Sequence, residues 1–216
     1  MSITAGPTMT LDIRFGTSAD TQTVADFVLA AGAGIFEQLF EGLLPGMTAR
    51  DVLRVAVADD SSPLNFSNAV LVGEGDAALG CALCYPAEEY GLPLVVRTMV
   101  PRTRLEPLRE LFESRLEGTF YLNTLVVSES ARGRGIARLL LETVIGVAAE
   151  SGAEALSLHA WTDNAPAMKL YRSFGFETVR ELSVAPSTYL HHNGPMALMR
   201  APLTLFAETP GAATTQ

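Results

Sequence analysis

The sequence predicts a single mixed α/β domain, with a central sheet of about six to seven strands flanked by helices and a parallel βαβ unit at its core. Three observations predict it. The 216-residue chain is 48% hydrophobic and 18% charged, enough for one substantial core, and no internal repeat, heptad run or change of composition divides it. Apolar runs of strand period alternate with runs of helix period along its length. Two of the strand-like runs, Phe120 to Val127 and Ala155 to Ala160, are separated by one long apolar-faced helical stretch, the signature of a right-handed crossover between parallel strands.

The elements follow in order. Leu11 to Arg14 reads as a short first strand, and Thr17-Ser18-Ala19-Asp20 has the form of a capping box, opening a helix with Val24, Phe27 and Val28 on one face. Gly32 and Gly34 interrupt it before a second helical segment through Ile35, Phe36, Leu39 and Phe40. Thr48-Ala49-Arg50-Asp51 caps a third, bearing Val52, Leu53 and Val57. Asn68 to Gly73 and Ala78 to Tyr85 read as strands joined through Glu74-Gly75-Asp76, a hairpin signal. From 86 to 118 the chain reads as a helical insertion, with Leu105, Leu108, Phe112 and Leu116 on one face of an amphipathic helix. Covering a substrate site, contacting a second subunit and simply packing on the sheet are all open to it. After Phe120 to Val127, a helix with Ile136, Leu139, Leu140, Val144, Val147 and Ala148 inward ends at Gly152. Asn164 can cap a helix over 165–174, with Pro166 tolerated in its first turn and Gly175 as its stop. Glu177 to Ser183 and Met196 to Pro202 supply the last strands. The domain is placed at 1–206, and residues 207–216, rich in Ala, Thr, Gly and Pro, are expected to form a disordered tail.

The chemistry begins at Val127 to Ala137, where a strand feeds a glycine-punctuated turn that opens a helix. The first backbone N–H groups of a helix lack internal acceptors and sit at the positive end of its dipole, so together they can receive a phosphate or pyrophosphate. Gly133 and Gly135 permit close approach, and Arg132 and Arg134 add forked cationic donors. A Walker loop is excluded, because no Lys-Ser/Thr follows the glycines. The dinucleotide fingerprint also fails, since its third small residue is missing and Glu154 lies before the next strand. On local geometry alone, a plain strand-to-helix turn with exposed arginines remains open.

A second motif, Asn164-Ala165-Pro166-Ala167-Met168-Lys169-Leu170-Tyr171 followed by Ser173-Phe174-Gly175-Phe176, narrows the choice. Taken together, Arg-x-x-Gly-x-Ala at 132–137 and Asn-x-x-Ala-x-x-x-Tyr at 164–171 resemble the acyl-coenzyme A signature of the GNAT superfamily of N-acetyltransferases. The resemblance covers roughly residues 120 to 180. It implies a GNAT-like fold, acetyl-coenzyme A as co-substrate without a metal, and direct transfer of the acetyl group to a primary amine. A small molecule is favoured as acceptor, with a protein lysine or N-terminus next. It also implies that Leu125, Val126 and Val127 offer backbone groups to the pantetheine arm. Arg132, Gly133, Arg134, Gly135, Ile136 and Ala137 would hold the pyrophosphate, and Asn164 and Ala167 would lie beside the coenzyme. Homodimers are common in the family, so a homodimer is expected by analogy alone.

The composition bounds the remaining choices. A net charge of −9 argues against nucleic acid and leans toward a cationic acceptor, a weak steer given screening by salt. No apolar run has the length of a membrane span and the N-terminus lacks a signal-peptide pattern, so a cytoplasmic protein is expected. Cys81 and Cys84 form a Cys-x-x-Cys, but within a strand positions three apart face opposite sides, which reads as two buried thiols rather than a redox or metal pair.

Amine acetylation needs a neutral nitrogen, a polarised thioester carbonyl and a proton for the departing thiolate. By the resemblance Tyr171 supplies that proton. A phenol with an ordinary pKa near 10 stays protonated at neutral pH and can still release its proton to a thiolate forming beside it. Charge building on the thioester oxygen would be met by strand amides near Val127. For the base, some histone-type members carry a glutamate on the fourth strand where this chain has Asn123, which cannot take a proton. Glu37, Glu41, His159, Asp163, His191 and His192 are alternatives, as is a water chain. Glu37, Glu41 and Asn123 are taken as acceptor-side residues. Ser128 stands where the family often has proline, a small departure because backbone amides do the binding. The reading from a different class is an acyl-coenzyme A binding or sensing module without chemistry.

Overall fold

In the computed structural model, which describes residues 11–206, seven strands form one sheet in the order β1-β2-β3-β4-β5-β7-β6. The strands are β1 (Asp12–Phe15), β2 (Ala69–Glu74), β3 (Ala77–Pro86), β4 (Thr119–Val127), β5 (Ala155–Trp161), β6 (Glu177–Leu182) and β7 (Met196–Pro202). Every neighbouring pair is antiparallel except β4 and β5, whose parallel pairing is bridged by helix α7 (Ile136–Glu150). The expected tail at 207–216 lies outside the described residues. Among the described residues, no helix is long and apolar enough to cross a membrane.

Local chemistry sets the boundaries. Thr48 accepts from the Asp51 amide at 3.3 Å while the Asp51 carboxylate accepts from the Thr48 amide at 3.0 Å, a capping box that starts α3 (Ala49–Ala58). The Thr17 box opens a 3-10 turn over Ser18–Asp20, and α1 (Thr21–Gly32) follows from it. Asn164 Oδ1 accepts from the Ala167 amide at 3.3 Å and caps α8 (Ala165–Ser173), with Pro166 in its first turn. In α7, Leu141 and Ile145 are buried, whereas Leu139 and Val147 are only half-buried at its margin.

The core has three parts. On one face of the sheet α7 and α8 cover Val72, Ala82, Cys84, Leu122, Leu156 and Leu158. On the other, α1 and α3 cover Leu71, Cys81, Leu83, Tyr85 and Tyr121. The two thiols therefore face opposite layers, and burial pushes each up to about 12, which makes them poor nucleophiles. The third cluster joins α2 (Ile35–Phe40) through Leu39 and Phe40 to Leu108 and Leu111 of the 86–118 segment and to Trp161, Met196 and Leu198.

That segment differs from the single amphipathic helix the sequence suggests. It folds as short pieces: α4 (Leu94–Met99), α5 (Arg102–Leu105), a 3-10 turn over Glu106–Leu108 and α6 (Arg109–Glu113). Pro101 sits at the start of α5 and Pro107 inside the 3-10 turn; neither offers an amide to continue a ladder, so one long helix cannot form. Leu116 lies beyond the last piece and packs as a loop residue.

Candidate active site

The site is built where the sheet comes apart. β4 pairs with β5 only from Thr119↔Ala155 to Leu122↔Leu158; beyond this, β5 continues along β7 through Trp161↔Met196 while β4 follows β3 to Val127↔Gly80. A bulge explains the divergence. Leu122 pairs with Cys84 and Thr124 with Leu83, so Asn123 is an extra residue with no counterpart on β3. Such an insertion bends and twists its strand, here turning β4 away from β5. At the closed end Thr119 and Ser157 join hydroxyls at 2.6 Å, which ties the two strands together where they still pair. Past Leu122, the edge of β4 that faces away from β3 has lost its strand partner, leaving Leu125, Val126 and Val127 on an unpaired edge suited to an amide-bearing ligand.

β4 leads directly into the glycine turn. Gly133 and Gly135 have φ of +77° and +80°, the left-handed region that glycine adopts without strain, and a Cβ added at either would meet no atom within 4 Å. The space beside both is therefore open, as a ligand cradle requires. Gly135 is the N-cap of α7, and the first amide of that helix with a backbone acceptor is that of Leu139, bonded to Gly135 O at 3.1 Å. The amides of Ile136, Ala137 and Arg138 are free of intrahelical acceptors by the geometry of any helix start. Arg132 is exposed beside this cradle. Arg134 forms a two-pronged pair with Glu74 of the β2–β3 hairpin, at 2.9 and 3.1 Å, which ties the turn to the sheet.

A cavity of about 250 Å³ occupies the split and continues under α1, α2 and the 86–118 segment. Asn123, Thr124 and Leu125 of β4 line it together with Asn164, Ala167 and Tyr171 of the second motif, so residues some forty positions apart converge there. Tyr171 is buried, and burial pushes its phenol up to about 12, keeping it protonated at neutral pH. Among the described residues no hydrogen bond engages its hydroxyl.

The far end of the cavity is walled by rings: Phe36, Tyr85, Tyr90, Phe112, Tyr121 and His159. Their polar atoms are largely spent on one another. Asn123 Nδ2 donates to Tyr85 at 3.0 Å, Tyr90 donates to Leu111 O at 3.0 Å, and the Tyr121 hydroxyl lies 2.9 Å from His159 Nδ1. His159 Nε2 is buried without a hydrogen bond of good geometry. Burial drives the His159 pKa down to about 3, with the Ser114 backbone opposing weakly, so the ring is neutral at physiological pH. Among the described residues, no Asp, Glu, Lys or Arg lines the cavity. An ammonium buried there without a carboxylate would cost several kcal/mol, and one desolvated ring face returns roughly 2 kcal/mol or more, so a single ring contact does not by itself offset the burial of a cation.

The other acidic and basic candidates are placed elsewhere. The Glu41 carboxylate accepts from the Ala49 amide at 3.0 Å and so extends the cap of α3, while Glu37 is not part of the lining. Asp163 pairs with His192 at 2.7 Å, and His192 stacks on Trp161 at 5.2 Å. The His191 amide bonds Ala33 O at 3.0 Å. The ring wall and the clamp that holds the 86–118 segment were not visible in the sequence. In that clamp, Arg104 donates to Leu39 O at 3.2 Å and Glu41 O at 2.7 Å, and Gln38 Nε2 donates back to Arg104 O at 3.2 Å. Ser187 also bonds Gln38, tying the 183–195 loop to the same helix.

The model of the acetyltransferase (GNAT) family matches residues 53–176, more than half of the chain. The chain belongs to the GNAT acetyltransferase family. It is accordingly an acetyltransferase with acetyl-coenzyme A as co-substrate, and the cradle at 133–138 beside the unpaired edge of β4 suits both the pyrophosphate and the pantetheine of that molecule. No curated protein matches the sequence. Among solved structures the chain is similar to a crystal structure of an acetyltransferase, at 28% identity, with 89% of this chain and 99% of the other covered and a TM-score of 0.60. The fold is shared with an N-acetyltransferase from Staphylococcus aureus Mu50, at 19% identity, 88% and 100% coverage and a TM-score of 0.64. It is shared too with yncA from Salmonella typhimurium, solved with its cofactor acetyl-CoA, at 15% identity, 95% and 99% coverage and a TM-score of 0.55.

Proposed function

We propose that this GNAT member transfers acetyl from acetyl-coenzyme A to the primary amine of a small molecule, directly and within the β4–β5 split. The observation that carries this reading is the placement of Tyr171: buried, protonated, unengaged at its hydroxyl among the described residues, and lining a cavity that runs between the second motif and the strand, β4, that leads into the first. The coenzyme supplies an electrophilic thioester carbon and a thiolate leaving group. Arg132, Gly133, Arg134, Gly135, Ile136 and Ala137 hold its pyrophosphate, the first by charge and the helix start by its free amides. Leu125, Val126 and Val127 receive the pantetheine along the unpaired edge of β4, with Asn164 and Ala167 on the opposite wall. Tyr171 keeps a proton at its hydroxyl for the departing sulfur. Asn123 occupies the bulge at the entrance to the ring-walled end and orients Tyr85 there.

The roof favours a small acceptor over a protein. Ile35, Phe36 and Phe40 from one side and Tyr90, Leu92, Val96 and Phe112 from the other line the cavity with bulky apolar side chains, which leaves less room for an extended peptide than for a compact amine. The test is Tyr171→Phe, which keeps the ring and its packing. Turnover is expected to fall about 100-fold or more, the usual scale for a lost general acid, while the coenzyme Kd measured by calorimetry stays within twofold. Unchanged turnover would remove Tyr171 from the mechanism.

A further inference from the structure

We infer that the acceptor is a compact amine with a ring-sized apolar body that is bound in its uncharged form against the aromatic end of the cavity. The inference rests on the acetyltransferase reading above and specifies the substrate of that site. Three observations on the wall carry it. First, among the described residues the lining holds no carboxylate to pair with an ammonium; Glu41 caps α3, and Glu37, although it keeps one carboxylate oxygen buried without a partner, is not part of the lining. Second, most polar side-chain atoms at the aromatic end are already bonded, Asn123 to Tyr85, Tyr90 to Leu111 O and Tyr121 beside His159, with His159 Nε2 the unpartnered exception, so the wall offers mainly ring faces rather than a hydrogen-bonding lattice for a polyol or a peptide. Third, the size is right. A cavity of about 150 Å³ suffices for one benzene ring, and the whole space of about 250 Å³ must also admit the acetyl end of the coenzyme.

His159 is an internal reporter of the same environment. It already sits at the aromatic end and is kept neutral there by burial, so a second potential cation is disfavoured for the same reason. An amine that enters uncharged also arrives ready to attack, because its lone pair is free. This accords with a site whose lining has no carboxylate to serve as base, and Asn123 is consistent with that economy. The one proton released on nitrogen as the C–N bond forms and the C–S bond breaks returns to Tyr171, directly or through water, in place of the one Tyr171 gives to sulfur. No other reactant is required.

The test uses the full chain with acetyl-coenzyme A and follows thiol release with benzylamine, aniline, spermidine and a lysine peptide, with the coenzyme Kd measured separately by calorimetry. The ring-bearing amines are expected to exceed spermidine and the peptide in kcat/KM by about 100-fold. Phe112→Leu, which removes one ring but keeps an apolar side chain, is expected to raise the KM for benzylamine severalfold and to leave the coenzyme Kd unchanged. Preference for spermidine or the peptide, or no release from either ring-bearing amine while the coenzyme binds, would overturn the inference. Absence of coenzyme binding would instead break the acetyltransferase reading on which it rests, so the two failures are distinguishable.

Discussion

Acidification tests the electrostatics of the cavity without any ligand. His159 has an ordinary value of 6.5 and is driven to about 3 in the folded protein by burial. Between these values the unfolded chain binds a proton that the folded chain refuses, so stability rises with pH across that window and is lost as pH falls through it. The linkage relation then gives a loss of about 2 kcal/mol between pH 7 and pH 5 from this one residue. For a domain of this length that corresponds to a fall in Tm of roughly 4–8 °C. Asp20 does not blur the result: hydrogen bonds from Arg14 and Thr17 hold its carboxyl well below the usual range, so its contribution disappears only in more acidic solution. The assay is urea or thermal unfolding at both pH values for the wild type and for His159→Gln. Gln is close in size and does not titrate, and the other two histidines, His191 and His192, remain in both proteins. Whatever Gln costs by itself cancels when the pH-dependent differences are compared. Equal losses in the two proteins would mean that the ring accepts a proton in place. A chamber able to hold that cation would be able to hold an ammonium as well.

Three further outcomes follow from particular contacts. Gly135→Asp places a side chain in the open cradle and a negative charge at the helix start; coenzyme affinity measured by calorimetry should fall at least about tenfold, with a further stability loss of about 1 kcal/mol from the left-handed backbone. Gly34→Ala would bring a methyl group to 1.9 Å from Tyr189 O at a φ of +96°, so the 183–195 loop must yield; a stability loss of about 2–4 kcal/mol in denaturant unfolding is expected. Arg104→Met removes the guanidinium nitrogen that donates to both the Leu39 and Glu41 carbonyls and should cost about 2 kcal/mol while raising the acceptor KM, because the roof loosens, and leaving the coenzyme Kd alone.

The parts of the molecule that could be read in advance are those whose cause is local. The capping residues Thr48 and Asn164, the turn at Gly75-Asp76 and the period switch through 120–160 each involve neighbours in sequence, and the structure places them as expected. The opposite facing of Cys81 and Cys84 follows from strand period alone. What was illegible depends on distant partners. The segment over the ring-walled end of the cavity is held by Arg104 bonding carbonyls more than sixty residues away, and backbone carbonyls leave no trace in a sequence. The bulge is an intermediate case. A lone Asn123 inside an apolar strand is a visible oddity, but only pairing with β3 reveals that it is the extra residue that parts β4 from β5.

Charge gives the sharpest contrast between composition and site. A net charge of −9 leans toward a cationic acceptor, yet among the described residues the cavity lining contains no carboxylate. Acidic side chains are used elsewhere: Asp20 on Arg14, Asp26 on Arg50, Glu74 on Arg134, Glu142 on Arg138 and Glu41 on a helix cap. A long-range field of that sign still attracts amines toward the surface, but over the distance of a Debye length it is screened, whereas the cost of desolvating a cation at the aromatic wall is not. Steering and selection are therefore opposed in this protein. An amine drawn in as a cation must surrender its proton before it can settle, and the acceptors best suited to both requirements are those whose own pKa makes that surrender cheap. Among ring-bearing amines of one shape, KM should accordingly track the fraction of neutral amine at the assay pH, falling as pH rises toward each amine's own pKa and then levelling. A KM that stays constant across that range would mean that the wall holds the ammonium form after all.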